Sequence, residues 1–354
     1  MASTPRLRRL QLLDRKHEEL ARELEDIQDE RRARDEDALD HDIDDDLLRL
    51  VFVSCHPVLS MEARVALTLR LLCGLTTDEI ARAFLAAEPT VAQRIVRAKR
   101  TLADADVAFE VPRGDALHER LEGVLGVVYL VFNEGYAATS GGDWVRPALC
   151  EEALRLGRML AALTPAEPEV HGLVALMEIQ ASRLHARVGK DGEAVLLLDQ
   201  DRSRWDQLLI RRGLEALARA ERLGGAFGPY ALQAAIAACH ARARTADETD
   251  WPRIAALYAA LARVNPSPVV ELNRAVAVSM ASGAESALPL VDRLQDDPAM
   301  KHYHLLPSVR GDLLSRLGRH DEARAEFERA AAMTRNARER SLLLARAREC
   351  ALAG

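Results

Sequence analysis

Apolar positions recur at helical spacing along most of the chain, and the most structured stretch is Leu75 to Leu102. Thr76 and Glu79 have the spacing of a capping box, in which each side chain satisfies a free backbone N–H at a helix start. Ile80, Ala81 and Phe84 then share one helical face. The pattern stops at Leu85-Ala86-Ala87-Glu88, and Pro89 suits the first turn of a new helix, where its missing N–H costs nothing. Thr90-x-x-Gln93 is a second possible capping box, so the start could lie one residue later. Beyond it Val91, Ile95, Ala98 and Leu102 form a stripe to be buried. Gln93, Arg97 and Arg100 fall on the opposite side, flanked by Arg94 and Lys99. The turn between the two helices has no glycine, so Leu85 or Ala86 must close it without a left-handed residue.

The same reading extends in both directions. Leu10, Leu13, Leu20, Leu24 and Ile27 make a sparse stripe in a heavily charged segment, as in an exposed helix that packs weakly. Asp46 to Leu59 and Met61 to Cys73 read as two apolar helices separated by His56-Pro57, with Ser60 an N-cap and Gly74 closing the second. Residues 104–165 form a connecting block. In it Leu117 to Phe132 is a strongly apolar helix, Asn133 to Tyr136 and Ser140-Gly141-Gly142 are breaks, and Trp144 to Leu163 is another helix. From Pro168 onward helices come in pairs. Ile254, Tyr258 and Leu261 with Pro266 fit the second helix of a tetratricopeptide unit, and Gly311, Ala323, Phe327 and Ala330 fit another. Pro268 to Leu294 is a degenerate copy, with Ala287, Val291 and Leu294 at the repeat positions. The fold class expected is all-α: a helix-turn-helix followed by a tetratricopeptide-like array, divided as 1–44, 45–103, 104–165 and 166–354. A fragment ending near Leu102 is expected to fold alone.

Charge sharpens this picture. The chain of 354 residues has a net charge of -7, yet Thr90 to Leu102 holds four cations and no acid. A helix-turn-helix lays its second helix in the DNA major groove, base edges near its start and phosphates along its basic face. Thr90, Gln93, Arg94, Arg97, Lys99 and Arg100 are therefore the candidate DNA-binding residues. A solvated cationic face on an ordinary helical hairpin is the plainer alternative. Asp35 to Asp46 holds eight acids and no Lys or Arg, the composition of a solvated linker; it could also screen the basic helix.

Composition excludes several classes. Aromatic residues make up 4% of the chain, and Ala, Leu, Arg and Glu dominate, as in an all-helical protein. The five cysteines, Cys55, Cys73, Cys150, Cys239 and Cys350, form no CxxC pair, so neither a disulfide framework nor a metal site is indicated. Adjacent Cys55 and His56 have poor geometry for one ion. No apolar run reaches the roughly 18 residues of a membrane span, and the start is not signal-like, which points to the cytoplasm. Glu134 near Tyr136 and the run Asp199 to Trp205 lack a nucleophile, base and orienting group in register. The first is read as a turn fastened to its neighbours and the second as an ion-pair network. With no phosphate loop, no catalytic residue or cofactor is assigned.

The segment Asp45 to Leu102, DDLLRLVFVSCHPVLSMEARVALTLRLLCGLTTDEIARAFLAAEPTVAQRIVRAKRTL, resembles region four of a bacterial sigma factor of the extracytoplasmic-function type. VVYLVFNEGYAATSG, LLLDQDRSRWD, GPYALQAAIAACHA, PSPVVELNRAVAV and YHLLPSVRGDLLSRLGRHDEA resemble the branch with a tetratricopeptide-like C-terminal extension. The resemblance implies binding to the -35 promoter element and to core RNA polymerase. Stacked helix pairs make a superhelix whose concave face suits an unidentified protein or peptide, the plainer alternative being an Ala-rich array used only for stability. It also implies a complete region two, which melts the -10 element, before region four; only about 40 residues precede it here. Before Asp45 there is no Trp, Tyr or Phe to capture unstacked bases. The expectation is weak -35 binding and no initiation by this polypeptide with core polymerase alone. A DNA-binding regulator with a sensing array and no polymerase-directing role is the alternative.

Overall fold

The computed structural model describes residues 46–84, 86–112, 114–136, 145–189, 195–334 and 336–353. The charged segment 5–34, the acidic run before Asp46, Leu85, Ser140-Gly141-Gly142 and Trp144 lie outside them. The described residues form an all-α protein, about three quarters helical and without strands.

The first helix, α1, covers 46–54 among the described residues, with the turn 55–59 after it. Then come α2 (Met61–Leu71), α3 (Thr77–Ala83) and α4 (Glu88–Asp104). Ser60 caps α2 as expected, its hydroxyl accepting from the Ala63 N–H at 3.3 Å. Gly74 takes φ +67°, the left-handed conformation that ends a helix at low cost. Val51, Phe52, Leu67, Leu69, Ile80 and Val91 meet in the centre of this unit.

The next helices are α5 (Asp115–Tyr136), α6 (Pro147–Leu163) and α7 (Pro168–Ala181). Helix α5 is the spine, with Leu121, Val124, Leu125, Val127, Val128, Val131 and Phe132 all buried. Burial on so many sides reflects packing against α2, α6 and α7. It continues through Asn133 to Tyr136, where the sequence pattern predicts a break. Gly135 is there because α6 crosses at that point: a Cβ would lie 2.7 Å from the Cys150 backbone nitrogen. Helix α6 starts at Pro147, three residues later than the pattern predicts, with Arg146 N–H donating to the Gly135 carbonyl at 2.7 Å.

One hydrophobic core runs from α1 to α7. The void left between α1, α2, α5 and α6 is about 10 Å³ and wholly apolar, lined by Val51, Leu72, Val124 and Leu156 among others. Polar ties cross the same seam. Arg120 donates to the Phe52 carbonyl at 2.6 Å and lies over the Phe52 ring, and Arg155 donates to the Leu72 carbonyl at 2.6 Å.

Beyond a stretch of short 3₁₀ turns between 184 and 204 follow α8 (Gln207–Arg222), α9 (Pro229–Arg242), α10 (Trp251–Val264) and α11 (Pro268–Ser282). The chain finishes with α12 (Ala284–Asp292), α13 (Leu305–Arg316), α14 (His320–Met333) and α15 (Ala337–Ala353). From α5 on, the main contacts join each helix to the next or the next but one, the packing of a quasi-one-dimensional stack. Gly311 permits one such approach: a Cβ there would sit 3.0 Å from the Phe327 ring. Gly228, the N-cap of α9, lends no side chain, and Glu169 of α7 substitutes for it. Its carboxylate accepts from the Tyr230 and Ala231 N–H groups at 2.7 and 3.2 Å.

Candidate nucleic-acid interface

Helices α3 and α4 present the one strongly cationic surface that the sequence singles out. The capping box is formed: the Thr76 N–H donates to Glu79 Oε2 at 2.7 Å, and the Glu79 N–H to Thr76 Oγ1 at 3.2 Å. It satisfies backbone donors that a seven-residue helix cannot satisfy itself. The turn ends with the Ala86 N–H donating to the Ala81 carbonyl at 2.9 Å. Of the two residues expected to close the turn, Leu85 is not among the described ones and Ala86 is half-buried.

Helix α4 begins at Glu88, with Ala87 as an uncapped N-cap and Pro89 in the first turn. The Thr90-x-x-Gln93 alternative start is thus not used. Val91, Ile95 and Ala98 are buried and Leu102 is half-buried against the same core. Burying Val91 and Ile95 stabilises the helix in this orientation by about 1.5–3 kcal/mol each. The remaining face is fixed by that choice. Thr90, Gln93, Arg97, Lys99 and Arg100 are exposed, and Arg94 is half-buried towards Glu62 of α2.

These cations are little engaged within the protein. Arg100 approaches Asp104 at 3.6 Å, but the two side chains are 82% and 71% exposed, a pair worth little in water. Arg97 and Lys99 have no carboxylate partner among the described residues. A row of solvated cations on a rigid helix can exchange its counterions for phosphates, and Thr90 and Gln93, nearer the helix start, offer side-chain hydrogen bonds to base edges.

Away from this surface, residues considered for chemistry prove to be structural. Glu134 pairs with Arg146 at the start of α6, tying the two helices. In the run Asp199 to Trp205 the arginines bind carbonyls rather than acids, which corrects the ion-pair reading. Arg202 donates to the His240 and Ala243 carbonyls at 2.7 and 2.8 Å, and Arg204 to the His185 carbonyl. All five cysteines are free thiols, and burial pushes those of Cys73 and Cys150 up to about 12. The described residues contain no cluster of His, Cys, Asp or Glu suited to a metal. No helix among them is long and apolar enough to cross a membrane.

Comparison with known proteins agrees with this geometry. Residues 49–102 match the family model described as Sigma-70, region 4, a DNA-binding regulatory domain and not an enzyme family. Residues 120–221, from α5 to the end of α8, match a model described as a family of unknown function (DUF6596). An uncharacterized protein of Rhizobium meliloti (strain 1021) is 48% identical over 295 residues, which cover 83% of this chain and 69% of the relative. The chain carries a sigma-70 region 4 and belongs to one family with that rhizobial protein.

Proposed function

We propose that the chain acts as an RNA polymerase sigma factor of the extracytoplasmic-function type, reading the -35 promoter element through α4. The observation that carries the reading is the division of α4: its apolar stripe packs into the core, leaving a row of largely solvated cations outward in a sequence that matches region 4. Thr90, Gln93 and Arg94 are assigned to base edges and flanking backbone, and Arg97, Lys99 and Arg100 to phosphates. Core RNA polymerase is the protein partner, and the site of action is the cytoplasm. Residues 1–44 and 45–103 are taken as a charged lead-in and region four, 104–165 as a connecting block. Residues 166–354 are taken as a tetratricopeptide-like module for protein interaction or regulation. The sequential helix packing and the close approach of Gly311 to Phe327 support that last assignment.

The test is selection of duplexes from a random library by the full chain, with and without core polymerase, and direct measurement of core binding. A common short element, absent from the selection by an Arg97→Ala/Arg100→Ala variant, together with saturable core binding, is the expected result. A shared element without core binding favours the other reading, a regulator that does not direct polymerase. No shared element refutes both.

A further inference from the structure

Helices α5, α7, α9, α10 and α11 turn residues to a common groove of about 460 Å³. That is the size range of small-molecule sites. We propose that this groove binds an organic carboxylate, whose anionic end is held by Arg183 and whose apolar body lies along the rings of Tyr129, Tyr136 and Tyr258 that line it.

The argument starts from a charge imbalance. Arg183 lines the groove and is 7% exposed, yet among the described residues neither it, Arg187 nor Arg202 pairs with a carboxylate. Their partners are rings. Arg187 lies 3.9 Å from the Tyr136 ring centre and Arg183 5.7 Å from it; Trp205 has Arg183 at 5.6 Å and Arg202 at 5.0 Å. The result is a ladder of alternating cations and rings with Arg183 in the middle. Cation–π contacts offset only part of the cost of burying charge.

Hydrogen bonding is incomplete at the same place. Arg183 donates through Nη2 to the Tyr136 hydroxyl at 2.7 Å and to the Gln180 side chain, but its buried Nε has no partner. His240, across the groove, is 8% exposed with an unpartnered Nδ1. Burial and the neighbouring Arg183 and Arg202 push its pKa down to about 3, so the imidazole is neutral and adds no charge of its own. Arg202 is committed to two carbonyls and the Thr249 hydroxyl. What remains on the Arg183 guanidinium among the described residues is the Nε hydrogen and Nη1, which suits a single negative charge better than a dianionic phosphate.

A carboxylate of this kind could belong to a free organic acid or to the end of a peptide. The inference does not depend on the promoter reading. The test uses the full chain and follows tryptophan fluorescence, since Trp205 touches Arg183 and Trp251 packs edge-on to His240 at 5.2 Å. The probes are phenylacetate, its neutral counterpart phenylacetamide, and N-acetyl-Leu-Leu-Phe with a free or amidated C-terminus. Saturable binding of an acid at least about tenfold tighter than its amide is expected, with a rise in Tm. Tighter binding of the peptide acid than of phenylacetate identifies a chain end as the ligand, and the reverse a free acid. Arg183→Gln should remove the preference; if that variant does not fold, the acid–amide comparison on the native chain decides. Equal binding of acids and amides, no saturable response to any probe, or a folded Arg183→Gln variant that keeps the preference overturns the proposal.

Discussion

Arginine is used in opposite ways at the two ends of this molecule. On α4, Arg97 stands in water with no carboxylate partner among the described residues, and Arg100 has only a loose, solvated one. In the terminal helices Arg310 joins three helices, donating to Asp292 of α12 and Glu326 of α14 at 2.8 and 2.9 Å. Arg346 of α15 similarly reaches Asp312 of α13 and covers the Phe327 ring at 4.7 Å. The cations of α4 are left for a polyanion, whereas those of the stack are consumed in holding helices together. Residue type does not separate the two uses; the acid at the right place on the next helix does.

The largest effect should come from the seam between the two regions. Phe52 is completely buried where α1 meets α5, so Phe52→Ala should cost about 3–5 kcal/mol. Because a single core spans α1 to α7, the destabilisation should appear in one transition shared by DNA binding and the helicity of the whole region. A fragment ending at Leu102 should accordingly melt well below the full chain, contrary to the autonomous unit that the polar run Asp104-Ala105-Asp106 suggests. Two separate transitions in urea, with only the first shifted by the mutation, would show the regions to be independent.

The arginines give the next contrast. Arg97→Ala and Arg100→Ala should leave stability nearly unchanged and weaken DNA binding. Removing one phosphate-binding cation should lower the log–log salt slope by roughly 0.9. Arg310→Ala should do the reverse, leaving DNA binding unchanged. It should cost roughly 1–2 kcal/mol, less than a fully buried pair because Asp292 is half exposed and Glu326 retains Arg329. Unaltered slopes in both α4 variants would mean that this face does not lie on DNA.

These cases also show what the sequence can and cannot reveal. The α4 stripe is legible because Val91, Ile95 and Ala98 recur at helical spacing while the cations gather on the opposite side, leaving one way to pack despite the exposed Val96. Gly311 opposite Phe327 is legible for a similar reason, a small residue facing a large one. Gly135 misleads, since local pattern cannot tell a glycine that breaks a helix from one that admits a neighbour. Arg183 gives no signal at all. Its ladder joins α5, the end of α7 and the loop before α8, and a missing counter-ion is visible only once all the neighbours are in place.

The smallest expected effect tests how firmly α3 sets the position of α4. Seven residues are too few for a stable isolated helix, so α3 depends on its packing and on the Thr76–Glu79 box. Thr76→Ala removes the hydroxyl that accepts from the Glu79 N–H and bonds the Glu79 carboxylate at 2.8 Å. The cost should be about 1 kcal/mol, as for other exposed N-caps. Fraying of α3 would loosen the support beneath α4 without touching its cations. Affinity for DNA should therefore fall by roughly fivefold at most, the equivalent of about 1 kcal/mol, with the salt slope unchanged. Thr76→Ser should restore both stability and affinity, because it keeps the acceptor. A drop in salt slope for Thr76→Ala would instead make Thr76 a phosphate-binding residue, and would extend the DNA-facing surface from α4 onto the start of α3.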